Sequence, residues 1–270
     1  MGRSAEKVIP MTVQHSYITK LLATGKRADG RTVDQFRTVT ITPGVAAKAE
    51  GTARVWLGKT DVVAGVKMSI GMPFSDKPND GVLIVGAECS PIASENFESG
   101  PPDENSIELA RVVDRGIRES KAIDTEKLCI TPGEKVWMVN LDLHIFNHDG
   151  NLIDACSLAA MAALQTAKLP KYDPKTETLD TMTHTDPLPV KRVPLAVSVA
   201  KIGKDLIVDP TADEEAVMDG RLTMTTTEDG NICAMQKGTA PFMFEEIEQA
   251  FDITKKKGDE LRKALAAALK

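Results

Sequence analysis

Apolar positions change period several times along the chain, and each change marks an element. Between residues 12 and 24, Tyr17, Ile18, Leu21 and Leu22 recur at helical spacing, with Thr12 placed to cap the start and Gly25 to stop it. After the charged turn Arg27-Ala28-Asp29-Gly30-Arg31, the period drops to two from Phe36 to Met68. Val39 and Ile41 alternate with threonines, and the runs Ala53–Leu57 and Val62–Val66 flank a turn at Gly58. This pattern predicts an antiparallel meander with a short hairpin. Residues 69–81 carry Pro73, Pro78 and Asn79-Asp80-Gly81 and read as loop, and Val82 to Cys89 reads as a strand. A Gly100-Pro101-Pro102 turn then launches a helix over 103–122. Lys135 to Phe146 alternates again, with Trp137, Val139, Leu141, Leu143 and Ile145 on one face, as far as the turn His148-Asp149-Gly150.

Residues 151–168 are small and apolar almost all round, from Ala155 through Ala163 with Leu158, Met161 and Leu164. A helix of this kind is buried and lies close to a sheet. Residues 170–191, rich in Pro, Thr and Asp, show no period and read as a linker. A second strand block follows, at 193–202, 205–208, 222–227 and 232–235, with a hairpin turn at Asp229-Gly230. Phe242 to Leu269 forms a long terminal helix, broken near Gly258. The expected organisation is an N-terminal helix and charged turn (1–30), a first subdomain (31–168), a linker (169–191) and a second subdomain with the terminal helix (192–270). Strand runs followed by helices predict an α+β fold, with helices layered on mixed or antiparallel sheets.

The helix after Gly-Pro-Pro carries the most distinctive polar stripe. Arg111, Arg115 and Arg118 are spaced by four and three, which places them within roughly 60° of arc. Leu109, Ala110, Val112, Val113, Gly116 and Ile117 take the opposite side. One face packs, and the other offers guanidinium forks suited to phosphate. The same residues also fit ordinary ion pairs, Glu108–Arg111, Asp114–Arg118 and Arg115–Glu119, each contributing about 0.2–0.5 kcal/mol.

Composition narrows the chemistry. A net charge of −6 over 270 residues makes the chain as a whole a poor nucleic-acid binder, so any such role needs a local basic site or a basic partner. Aromatics at 4% exclude a broad base-stacking platform. The cysteines Cys89, Cys129, Cys156 and Cys233 form no Cys-x-x-Cys pair and read as reduced, buried thiols of a cytoplasmic protein. No apolar run approaches 18 residues, which argues against a membrane span. His144 and His148 fall on a strand, more than about 12 Å apart, which opposes a shared metal. No catalytic Ser-His-Asp order, Walker loop or dinucleotide fingerprint is present, and no cofactor is expected.

The segments Arg27–Arg31 and Glu50–Thr60 resemble the opening of RNase PH-type phosphorolytic exoribonucleases and polynucleotide phosphorylases. Met72-Pro73-Phe74-Ser75-Asp76, Gly100–Glu104 and Ile107–Ser120 are similar to the non-catalytic ring subunit of the archaeal exosome, and the likeness runs from about residue 12 to 265. The resemblance implies two similar subdomains in one globule. It implies an alternating six-membered ring with a catalytic RNase PH-like partner, RNA-binding cap subunits, and single-stranded RNA shortened from its 3′ end by phosphate. It also implies that arginines of the Gly-Pro-Pro helix hold the RNA backbone at a subunit interface, a role that carries over most directly to Arg111 and Arg118, and less directly to Arg115.

Catalytic relatives open the central helix with Gly-Thr-Arg or Gly-Ser-Arg, whose amides, hydroxyl and guanidinium bind phosphate. Here Gly150 is followed by Asn151, Leu152 and Ile153, and Asp154 stands in the first turn. No Lys or Arg occurs from Val136 to Thr166. The helix start is therefore expected to reject an anion, and no catalytic residue is assigned. Asp213 and Asp219 keep the six-residue spacing of a catalytic aspartate pair, which leaves open a self-sufficient phosphate-dependent exoribonuclease. The other reading of Asp213-Glu214-Glu215 is a solvated acidic loop that caps the next element. A third reading is a pure assembly element whose arginines meet carboxylates of a neighbour.

Overall fold

The structure, a computed structural model, describes residues 5–270, with side chains described from residue 13 onward. In chain order, its first half comprises α1 (Ala5–Leu22), β1 (Val39–Pro43), β2 (Gly51–Leu57), β3 (Thr60–Gly71), β4 (Val82–Cys89), α2 (Glu104–Glu119), a 3-10 turn over Thr125–Leu128, β5 (Cys129–Thr131), β6 (Lys135–Asn147) and α3 (Leu152–Thr166). There follow β7 (Lys168–Asp173), β8 (Thr178–Pro187), β9 (Leu195–Ile202), β10 (Asp205–Val208), α4 (Ala212–Val217), β11 (Gly220–Thr226), β12 (Ile232–Lys237) and α5 (Phe244–Ala268). Among the described residues, no helix is long and apolar enough to cross a membrane.

The first sheet has the order β1-β2-β3-β6-β4, with β5 on β6. Its meander is antiparallel, but β4 runs parallel to β6. A parallel pair needs a crossover, which α2 and the 3-10 turn supply. The second sheet, β10-β9-β11-β12, is antiparallel throughout. Between the two sheets lies α3, buried at every position from Ile153 to Leu164. Its alanines keep the helix thin, and a single apolar cluster joins Val55 and Leu141 of the first sheet, the α3 residues, and Leu195 and Val197 of β9. The core is therefore continuous across the boundary between the two expected subdomains.

Three expectations change in the structure. Helix α1 begins upstream of Thr12, so Thr12 lies inside it and does not cap it. The expected linker is a two-stranded antiparallel ribbon, β7–β8, seated through Leu169, Tyr172 and Leu179 on the core. The Tyr172 ring meets Trp137 edge-on, and Glu177 pairs with Lys135. Strand β8 is exposed along nearly its whole length, so no apolar alternation announces it. Helix α5 passes through Gly258 unbroken. Gly258 is there for closeness, since a Cβ would come within 2.9 Å of Thr226 Oγ1.

Buried charge fastens the turn after α1 to the second sheet. The Arg27 side chain has no exposed surface and forks onto the Glu214 carboxylate, with Nε at 2.8 Å from Oε1. Its remaining N–H groups donate to the carbonyls of Val208 and Asp209 at 2.8 Å each. Removing one partner of such a pair leaves a buried charge uncompensated. Arg27→Ala is expected to lower unfolding free energy by about 3–5 kcal/mol in urea titration. The double change Arg27→Met with Glu214→Leu is expected to recover most of that loss.

Candidate functional site

Helix α2 opens with Asp103, whose carboxylate accepts the Ser106 N–H at 2.8 Å. Its buried residues include Leu109, Ala110, Val112, Val113, Gly116 and Ile117, as the periodicity predicted. This face packs against β4, α3 and β12, and turns the arginine stripe outward. The three arginines differ in what holds them. Arg111 is exposed, with no hydrogen bond or ion pair among the described residues. Arg118 is forked onto Asp114, with nitrogen–oxygen distances of 3.1 and 2.7 Å, and also donates to Leu83 O at 3.0 Å. Arg115 is half-buried and donates to the neutral Gln236 Oε1 at 3.1 Å. Of the ion pairs the spacing allowed, Asp114–Arg118 forms, whereas the nearest partners of Arg115 and Glu108 lie on β11 and β12.

The start of α3 is filled by the chain itself. The turn Asp149-Gly150 places Asn151 in the left-handed region, with φ of 55°. Gly150 is required by crowding as well as by its φ of +85°, because a Cβ would meet Pro210 O at 2.4 Å. The Asn151 N–H, which leads into the helix, donates to Glu215 Oε1 at 2.9 Å. A carboxylate thus already sits where an incoming anion would find a free amide. Burial raises the pKa of Glu215, against the pull of the Asn151 N–H and of Arg221 and Arg37.

A cation does reach this point, although none is present in the local sequence. Arg37 extends from the segment before β1 and binds both oxygens of Asp209, at 2.9 and 2.7 Å. It also donates to Asp149 O at 2.6 Å and Gly150 O at 3.2 Å. Arg31 adds a further bond to Asp209 Oδ2 at 2.9 Å. Burial opposes ionisation of Asp209, but the Arg37 guanidinium outweighs it and holds the pKa below the ordinary value. The Arg37 charge is therefore committed internally.

Asp154 does not face the helix mouth. It is 2% exposed and accepts from Ser198 N at 2.9 Å, Ser198 Oγ at 2.8 Å and Asn151 Nδ2 at 2.9 Å. Burial raises its pKa to about 7 in spite of these donors. The carboxylate in contact with the backbone at the helix start is therefore Glu215, not Asp154. Of the acidic run read as solvated, Glu214 is buried and closes a capping box with Thr211. Asp213 is exposed in the first turn of α4, and Asp219 accepts the Gly203 N–H at 2.6 Å. Neither lines the cavity of about 300 Å³ in front of α3, whose polar wall includes Glu108, Glu215, Arg221 and His148. His148 stacks on Phe97 at 5.5 Å, and His144 faces Glu88 at 3.4 Å. Sequence reasoning missed Glu215, Arg37 and Gln236, each of which acts on a residue more than 60 positions away.

The profile of the 3′ exoribonuclease family, domain 1, matches residues 35–170, and that of domain 2 matches residues 192–257. The chain belongs to the 3′ exoribonuclease family. Among curated members of this family, it is 52% identical to the exosome complex component Rrp42 of Thermococcus gammatolerans, over 95% of each chain. It is 48% identical to that of Methanosarcina acetivorans, over 93% of this chain and 92% of the relative. Among solved structures, a chain of the Archaeoglobus fulgidus exosome with RNA bound to the active site superposes with a TM-score of 0.87 and 46% identity. That match covers 95% of this chain and 99% of the other. An archaeal exosome core gives a TM-score of 0.84 at 43% identity, covering 96% and 98%. The α+β architecture is thus the RNase PH-like fold of the family.

The buried acid at the α3 start gives this family member a defined pH response. The folded pKa of Asp154, about 7, lies above its unfolded value of 3.8. Between those values the native state binds more protons, so this group's contribution is full below about pH 4 and is lost as pH rises through about 7. The shift corresponds to about 4 kcal/mol as an order of magnitude. Asp154→Asn mimics the protonated acid, its Nδ2 donating to Ser198 Oγ, which relays to Thr223 Oγ1. Denaturant titrations at pH 5 and pH 8 are expected to show that this variant flattens the decline in stability, with its gain largest at pH 8.

Proposed function

We propose that the chain is a non-catalytic ring subunit of an exosome that degrades RNA from the 3′ end with phosphate. Its helix α2 lends RNA-backbone contacts to a catalytic RNase PH-like partner across a subunit interface. The observation that carries this reading is the Glu215 carboxylate on the Asn151 N–H. Phosphorolysis needs orthophosphate beside the last linkage and positive charge on the transferring group. At α3 the amide has an internal ligand and the nearby guanidinium is tied to Asp209. A general acid in this chain, whether Asp213 or Asp219, would have no bound phosphate to act with.

The name Rrp42 borne by the relatives and the likeness to exosome cores support the assembly. The partners are then an alternating catalytic subunit, RNA-binding caps and single-stranded RNA. A net charge of −6 does not oppose a local RNA contact, because exposed charges are screened beyond about 10 Å. Arg111 and Arg115, unpaired with carboxylates among the described residues, are the stronger phosphate ligands, whereas Asp114 offsets much of the charge on Arg118.

The purified chain alone, given single-stranded RNA and phosphate, is expected to release no nucleoside diphosphate, and addition of the catalytic partner is expected to start shortening. In the assembled ring, Arg111→Ala is expected to weaken RNA capture and to lower its salt slope by about 0.7. Shortening by the chain alone would contradict the proposal. Loss of ring assembly with RNA affinity unchanged would favour a purely structural arginine helix.

A further inference from the structure

Arg115 and Glu108 lie on the same helix, two turns apart, about 10 Å along its axis. Between them stands Gln236, on β12 opposite Thr223 of β11. Its Oε1 accepts from Arg115 Nη2 at 3.1 Å, and its Nε2 donates to Glu108 Oε1 at 3.1 Å. The two bonds fix the amide's orientation, because a carboxylate only accepts and a guanidinium only donates. Glu108 in turn lies 4.0 Å from Arg221, which stands equally far from Glu215. The carboxylate of Glu108 is thus shared between the Gln236 amide and Arg221, and it makes no ion pair with Arg115 among the described residues.

We propose that Gln236 is a positioning residue for RNA binding, which tethers the Arg115 guanidinium at the edge of α2 and stands between it and the Glu108 carboxylate, so that the two form no ion pair. A neutral acceptor orients the fork without cancelling its charge, and an acid in the same place would do both. Helix α2 then presents Arg111 and Arg115 to the RNA backbone as two guanidinium groups with no carboxylate in direct contact among the described residues. This inference rests on the reading that the arginine helix meets RNA. It assigns to a strand residue of the second subdomain a part in what the helix binds.

The test is binding of a labelled oligoadenylate by the full chain, assembled with its catalytic partner, across a salt series, with thermal melting of each variant. Arg115→Ala is expected to weaken binding about tenfold and to lower the salt slope by about 0.7. Gln236→Glu is expected to match it in both, and the double variant to add nothing further. Gln236→Met, which removes the tether but adds no charge, is expected to weaken binding with the slope unchanged. Wild-type affinity and slope in Gln236→Glu, alongside an impaired Arg115→Ala, would overturn the proposal. So would wild-type affinity in Gln236→Met, which serves should the acidic variant not fold. Unchanged binding in both Arg111→Ala and Arg115→Ala would instead remove the RNA-facing helix itself.

Discussion

The amino end of α3 lies between two sheets, where its partial positive charge and free N–H groups must be met by something. In this chain the Asn151 N–H, at the mouth of the helix, is met internally. Glu215 takes the Asn151 N–H, and Asn151 Nδ2 bridges Asp154 and Asp209. Arg37 and Arg31 then hold Asp209 from the other side. The arrangement draws on the segment before β1, the turn before α3, the end of β10 and helix α4, so one electrostatic requirement joins four distant stretches of chain. It also explains the tight backbone there, since Gly150 packs directly on the Pro210 carbonyl.

The same arrangement separates scaffold from chemistry. The fold keeps a buried helix aimed at a cavity, which is the geometry that can seat an anion. The side chains fill the seat with an acid and tie the nearest cation to a second acid. What the surface retains is α2, whose packed face is fixed by Leu109, Val113 and Ile117. Its outer arginines differ in how far their charge is paired because their neighbours differ. Arg118 has Asp114 on its own helix, and among the described residues Arg115 has an amide supplied by β12. Spacing alone treats the two alike.

Local order was readable in the sequence where it is enforced locally. The buried face of α2, the alternation of β6 and the all-round apolar character of α3 are patterns within single elements, and each appears as expected. The missing hydroxyl and guanidinium after Gly150 were likewise visible. Hidden from a linear reading were the groups brought in by the fold. Glu215 belongs to a run of acids that looks solvated, and Arg37 lies more than 100 positions from the carbonyls it binds. The β7–β8 ribbon escaped because its outward faces carry threonine and aspartate, so burial imposes no period. Gly258 suggested a break because the packing partner that requires it, Thr226, lies on another element.

The proposed exclusion of phosphate from the α3 start depends on Glu215 holding its place there. A crystal of the full chain soaked in concentrated phosphate examines that contact directly. The Glu215 carboxylate is predicted to remain on the Asn151 N–H, with no anion on the amides of Asn151 or Leu152. Phosphate bound there, with Glu215 swung away, would contradict the non-catalytic reading.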